Sequence, residues 1–187
     1  MAIPAVFTSA NRRLNDRAWR LDNLYWIRNA AGEDVKFSMN AVQRRLFDDL
    51  HALNVVLKAR QLGVTTLVQI LMLDACLFNS NTTAGTIAHT QRDAATIFRD
   101  KVRFAYDRLP EGLRIRIPAV EHSAFALSFA NGSSLRVGTS LRSGTYQSLH
   151  VSEFGKISAK YPDKAEEIRT GALNTVHAGQ TIFIEST

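Results

Sequence analysis

The chain is poor in the residues that carry the commonest metal, redox and membrane functions. It holds a single cysteine, Cys76, so no internal disulfide is open to it. That cysteine lies within an apolar run and reads as a reduced, intracellular core position. The histidines His51, His89, His122, His150 and His177 are scattered, with no HExxH or CxxC spacing, which argues against a zinc site. Ser123, Ser128 and Ser140 lack a G-x-S-x-G elbow, so hydrolase chemistry of that kind is not indicated. No charged-then-apolar signal segment opens the sequence. The longest apolar stretch, residues 66–78, is too short for a membrane span and carries Gln69 and Asp74, so it reads as a buried helix and no membrane partner is expected. Repeats, low-complexity segments and linkers are also missing.

What is present is an ordinary globular composition. Apolar residues make up 45% and charged residues 21% of 187 positions, enough for one core with a small appendage. The net charge of +6 suits a polyanionic partner, although charge alone is weak support for nucleic acid. Residues 9–21 are polar, Arg-rich and helical in pattern. Residues 24–39 hold two short β-prone runs around a turn at 30–34. Asn40 can cap a helix with Val42, Leu46 and Leu50 on one face. Strand and helix then alternate: a strand at 54–59, the apolar helix, a strand at 83–89 and a helical pattern over 90–109 that includes Ala94, Ile97, Val102 and Ala105. A hairpin follows at Asn131-Gly132, then a strand near 148–154, a helix at 162–173 led by Pro162, and a strand at 180–187. Such alternation predicts an α/β domain with a largely parallel sheet. A parallel sheet normally covers its last strand with another helix, so the chain is expected to be part of something longer.

The stretch NVVLKARQLGVTT, residues 54–66, has the look of a phosphate-binding loop with its lysine out of place, whether broken, relocated or coincidental. The usual pattern is G-x-x-x-x-G-K-[ST]. Gly63 and Thr65 fit the second glycine and the hydroxyl; Val64 stands in the lysine's place and Lys58 in the first glycine's. A phosphate loop needs a strand feeding a tight, amide-donating turn, a helix N-terminus aimed at the anion and a cation. Strand and helix are predicted in that order. Thr65 can serve Mg²⁺, Lys58 can bend back over the loop, and Arg60 adds a fork of donors. On the loop alone, a strand-end surface charge and an ordinary helix start fit equally well. A second feature bears on the choice. The strand 148–154 ends in Ser152-Glu153, where ATPases of the strand-inserted class place two acids: the first for Mg²⁺, the second to activate water. Glu153 holds the activating position; Ser152 replaces the metal-binding aspartate with a weaker, neutral oxygen that acts best through a coordinated water. In isolation Glu153 also fits a solvated strand-end acid.

Together, NAVQRRLFDDL, VVLKARQLGVTT, LRSGTYQSLHVSEFG and TIFIEST resemble the ATPase domain of the large subunit of tailed-phage terminases, over residues 37–187. The resemblance implies a P-loop NTPase fold of the strand-inserted (ASCE) type, residues 37–187, preceded by a helical and hairpin extension, residues 1–36. It implies ATP hydrolysis that drives double-stranded DNA into a procapsid. Walker A becomes Lys58, Ala59, Arg60, Gln61, Leu62, Gly63, Val64, Thr65 and Thr66, in the variant whose lysine stands at the loop's N-terminal end. Walker B becomes Ser152 and Glu153, with Mg²⁺ on Thr65 and Ser152. Gln43 matches a glutamine that reads adenine, and Phe37 is a candidate to stack on the purine. Arg142 matches an arginine that touches ATP, in its own or a neighbouring subunit's site. Ser186 and Thr187 match the motif that couples hydrolysis to movement. Implied partners are double-stranded DNA, a small terminase subunit, a portal protein and a ring of identical subunits. The family's nuclease carboxylates are missing, so no DNA cleavage is expected of this chain. A degenerate, non-hydrolysing DNA- or capsid-binding module and a helicase-like ATPase are the competing readings.

Overall fold

The computed structural model describes residues 9–141, 144–171, 173 and 176–187. A 3₁₀ turn, Ser9–Asn15, leads into α1, Arg17–Asn23, which Asp16 caps by accepting the Trp19 N–H. A small hairpin follows, β1 (Trp26–Arg28) against β2 (Asp34–Lys36). Helix α2, Ala41–Asp48, opens with a full capping box: the Asn40 side chain accepts the Gln43 N–H while Gln43 Oε1 accepts the Asn40 N–H. Then come β3 (Leu53–Leu57), α3 (Val64–Phe78), β4 (Thr83–Ile87) and α4 (Gln91–Ile97).

The helical pattern expected over 90–109 is not one α-helix. A π-helical turn, Phe98–Arg103, separates α4 from α5, Phe104–Asp107. Such turns insert a residue into the hydrogen-bond ladder, which periodicity does not register, and they are frequent at functional sites. Just beyond α5, Pro110 is the N-cap of α6, Glu111–Arg116, which has no buried residue and therefore no apolar stripe to betray it. The remaining elements are β5 (Ala119–His122), β6 (Ala126–Phe129), β7 (Ser134–Gly138), β8 (Tyr146–Val151), α7 (Phe154–Lys160), α8 (Pro162–Thr170) and β9 (Val176–Ser186).

Seven strands form the main sheet in the order β3-β9-β8-β4-β7-β6-β5. Each neighbouring pair from β3 to β7 is parallel, and β6 and β5 finish the sheet antiparallel. This is the mainly parallel α/β architecture that the alternation predicted. Residues alternate between its two faces. Ala84, Leu135, Val137 and Phe183 join the core under α3; Ile87, Leu149 and Val151 join a second core with Ile157 of α7 and Ile168 of α8. Helix α3 is buried nearly all round, as its continuous apolar sequence requires. Leu21 and Tyr25 share its core, and the Arg20 guanidinium grips Asp74 of α3 with two hydrogen bonds, at 2.9 and 2.7 Å. Phe37 is also in that core at 1% exposure, so it is not free to stack on a base.

The parallel strands β3, β9, β8 and β4 end on one edge. Lys58 follows β3, Ser186 ends β9, Ser152 follows β8, and Ala88 and His89 follow β4. Ligands of open α/β sheets bind at such an edge.

Candidate functional site

The site begins with the face of the sheet on which its polar residues fall. Ser148, His150 and Ser152 alternate along β8 and its tip, all buried beneath α3. Burying three polar groups on one strand face requires partners. Gln69 of α3 meets His150: its amide nitrogen lies 2.8 Å from His150 Nδ1 and also 2.9 Å from Thr86 Oγ1 of β4. An amide NH₂ only donates, so His150 Nδ1 is the acceptor and Nε2 carries the proton. Nε2 lies 3.3 Å from Glu185 Oε1.

Glu185 is the centre of the cluster, and sequence reasoning passed over it in favour of the neighbouring Ser186 and Thr187. It is 1% exposed. The parallel register brings it beside Ser152, one step beyond the Val151–Ile184 pair. Thr65 Oγ1 donates to Glu185 Oε1 at 2.5 Å and Ser152 Oγ donates to the same oxygen at 2.9 Å. Burial acts to raise this carboxyl's pKa; the His150 ring, the Thr65 hydroxyl and the Lys58 ammonium outweigh it and hold it at about 2. The other oxygen, Oε2, is buried without a hydrogen-bond partner. A signal was present in the sequence: a charged residue on the inward face of an otherwise apolar strand, IFIE.

Lys58 turns into this cluster. Its side chain is 9% exposed, with Nζ 3.7 Å from Glu153 Oε1 and 3.8 Å from Glu185 Oε2. Its own N–H donates to the Ser186 carbonyl at 3.0 Å, which ties the start of the loop to the tip of β9. Ala59, Arg60 and Gln61 are exposed, and Gln61 takes a left-handed backbone at φ 65°. Leu62 packs against the core and offers its carbonyl to the Asn40 side chain at 3.3 Å. Gly63 caps α3 at φ 73°, and a Cβ there would meet Gln43 Nε2 at 2.6 Å, so both conformation and space call for glycine. No side chain caps α3. Val64 is 1% exposed. The place of the usual lysine is therefore apolar core.

A second cation reaches the loop, and it was not foreseen. Lys101 Nζ donates to Thr66 Oγ1 at 2.9 Å. Burial lowers the Lys101 pKa, which the carboxylates Asp100 and Glu185 partly offset. Its sequence signal was a lysine on the apolar face of a helical pattern, with Ala94, Ile97, Phe98, Val102 and Ala105 at the surrounding helical spacings, all buried.

Glu153 takes a left-handed backbone, φ 58°, at the sharp turn from β8 into α7. A non-glycine residue held there is strained, as groups at reactive sites often are. Its carboxylate accepts from Thr187 Oγ1 at 2.8 Å and sits 3.0 Å from Lys156 Nζ. Burial acts to raise its pKa; Lys156, the Thr187 hydroxyl and Lys58 bring it below the ordinary value. Ser186 Oγ accepts the Gly155 N–H at 3.2 Å, and a Cβ on Gly155 would come within 2.5 Å of that oxygen. Ser186 and Thr187 thus connect β9 to both the loop and Glu153.

Gln43 is 4% exposed and its amide is engaged, Oε1 by the Asn40 N–H and Nε2 by the Gly63 carbonyl at 2.8 Å. It braces the loop. Arg142 lies outside the described residues.

A cavity of about 260 Å³ opens above the cluster, lined by Thr65, His89, Lys101, Ser152, Glu153 and Lys156 among others. That is room for phosphate groups and an ion rather than a whole nucleotide. Two hydroxyls with carboxylates beside them offer hard oxygen ligands, which suit Mg²⁺; the His89 ring also lines the cavity.

No family model matches the chain, and no curated protein does. Solved structures do. The HK97 bacteriophage large terminase is similar with a TM-score of 0.71 at 14% identity, over 96% of this chain and 38% of that one. A mutant form of the ATPase domain of the Thermus phage P74-26 large terminase is similar with a TM-score of 0.52 at 15% identity, over 81% of this chain and 66% of that one. The large terminase of a thermophilic bacteriophage, in complex with ATP-gamma-S, reaches 0.50 at 10% identity over 80% of this chain and 38% of that one. At such identities the likeness shows the fold alone: this chain shares the mainly parallel α/β fold of these large terminases. It spans 38% of the length of the HK97 protein.

Proposed function

We propose that the chain is the ATP-binding and ATP-hydrolysing part of a phage large terminase, a motor for double-stranded DNA. The observation that supports this most directly is the meeting of Thr65, Ser152 and Glu153 around one small cavity beside the N-terminus of α3, with Lys58 Nζ 3.7 Å from the Glu153 carboxylate. Anions are stabilised at such a helix start. Lys58 acts as the loop's cation from the N-terminal side, because position 64 is closed to charge. Lys101 and the exposed Arg60 add positive charge around it. Arg142 is assigned to the transition-state charge and Gln43 to the loop, with base reading requiring its amide to exchange partners.

Thr65 and Ser152 are the groups for Mg²⁺, which when bound neutralises charge on the terminal phosphates. Glu153 stays ionised and orients the attacking water; Thr187 and Lys156 hold its carboxylate in place. A change in the terminal phosphate is then felt by Thr187 and Ser186 on β9, the coupling element. Phosphate contacts to DNA make the binding salt-sensitive and poorly sequence-selective. The small terminase subunit, a portal protein and a ring of identical subunits are the partners of this reading.

Binding without turnover is the competing reading, favoured by the neutral Ser152 and by Lys58 facing two carboxylates of its own chain. Steady-state ATP turnover of wild type, Lys58→Ala and Glu153→Gln separates the two. Hydrolysis predicts turnover that falls about 10²–10⁴-fold in Glu153→Gln, with nucleotide binding kept there and lost in Lys58→Ala. A folded wild type that binds ATP at the same level but never turns it over, with its terminase partners added, favours the competing reading. A folded wild type that binds no ATP ends both.

A further inference from the structure

The two hydroxyls at the floor of the cavity share one feature. Both donate to Glu185 Oε1, Thr65 at 2.5 Å and Ser152 at 2.9 Å. An ionised carboxylate accepts and never donates, so each hydroxyl proton is committed to Glu185. What Thr65 and Ser152 present to the cavity is therefore lone pairs only. A pair of fixed acceptors is a place for a cation. The second carboxylate oxygen, Oε2, is buried with no hydrogen-bond partner, and Lys58 Nζ stands 3.8 Å from it. Full satisfaction is the rule for buried carboxylates, and Glu185 departs from it at the oxygen that faces Lys58. The position that would ordinarily carry the metal's carboxylate, Ser152, is neutral and lies directly beside this one.

We propose that Glu185, on β9, supplies the negative charge of the divalent-cation site that Ser152 lacks: a positioning carboxylate that turns Thr65 and Ser152 into metal-facing acceptors. This rests on the nucleotide-site reading above and deepens it. The missing acid is replaced across the strand pair, from the tip of β8 to the adjacent tip of β9. The same carboxylate faces Lys58, so the phosphate cation and the metal site share one counter-ion. Groups that orient metal ligands in this way typically carry about 10- to 100-fold in metal affinity.

The test is Mn²⁺ binding by electron paramagnetic resonance, with and without a non-hydrolysable ATP analogue, alongside metal-free binding of the same analogue. Glu185→Gln keeps shape and hydrogen bonding but removes the charge. It is expected to weaken Mn²⁺ in the ternary complex by about 10- to 100-fold, while metal-free analogue binding stays equal or tightens, because a negative charge has left the phosphate's surroundings. Adding Ser152→Asp to that variant is expected to restore most of the Mn²⁺ affinity. Glu185→Asp keeps the charge but withdraws it by one methylene, and a several-fold loss is expected; it decides the matter should the glutamine variant fail to fold. Unchanged Mn²⁺ affinity in these variants, or equal weakening of metal-free and metal-dependent binding, overturns the proposal and leaves the nucleotide site standing. A wild type that binds no analogue at all overturns the nucleotide reading, and this inference falls with it.

Discussion

A buried carboxylate lies by each end of helix α3, its own Asp74 and Glu185 of β9, and the two are treated very differently. Near its C-terminal end, Asp74 is saturated: Arg20 grips it with two hydrogen bonds, at 2.9 and 2.7 Å, and the Tyr25 hydroxyl donates at 2.8 Å. Near its N-terminal end, Glu185 receives two hydroxyls on one oxygen, keeps the other without a hydrogen bond, and meets its lysine only at 3.8 Å. Both are 1% exposed, so burial does not distinguish them. Satisfaction does. Asp74 spends its oxygens on holding two elements together, whereas Glu185 keeps one oxygen without a hydrogen bond, in line with the role proposed for it beside a cation site.

The contrast can be broken from either side. Asp74→Ala leaves Arg20 buried without its partner, and removing one member of a buried pair costs about 3–5 kcal/mol. Chemical denaturation should record that loss while nucleotide affinity of the folded protein is unchanged, since Asp74 is remote from the cavity. A wild-type-like denaturation midpoint would mean the pair is not the fastening it looks to be. Glu185→Gln sharpens the comparison through pH. The Glu185 carboxyl is held at about 2, below its unfolded value. Its stabilisation is thus fully present above about pH 4.3 and is lost as pH falls toward 2, an effect on the order of 3 kcal/mol. The wild type should destabilise steeply across that acid window and the glutamine variant should show a flatter limb; parallel limbs would remove Glu185 from the account. The smallest effect belongs to the loop. Gly63→Ala places a methyl against Gln43 Nε2 in a left-handed conformation, and we expect about 1–2 kcal/mol of destabilisation with weaker nucleotide binding, read by thermal unfolding with and without ATP. An alanine variant as stable as wild type would show that the loop has other geometries open to it.

Much of this was legible beforehand because it is local. The Asn40 cap, the Asn131-Gly132 turn, the apolar α3 and the alternation of strands and helices all depend on residues close in sequence, and all of these features are present in the structure. The long helix over 90–109 was misread because a π turn changes no residue pattern, only the ladder beneath it. The short helices α6 and α7 were missed for want of a stripe, with Ile157 the one buried residue of α7 and none in α6.

The site divides along the same line. Lys58, Gly63, Thr65 and Glu153 announced themselves as a spacing along the chain. Glu185 and Lys101 did not, because neither belongs to a motif; each is only a charge on an apolar face.

What the sequence determined by itself was the alternation of elements and the place of the loop between β3 and α3, since turn chemistry, capping and hydrophobic period act over a few residues. What only the tertiary structure decided was which buried charges meet. Glu185 reaches Thr65 across 120 positions and Ser152 across 33. Those meetings follow from the parallel register of β8 and β9 and the seating of α3 on one face of the sheet, and pairing between distant strands leaves no trace in local pattern.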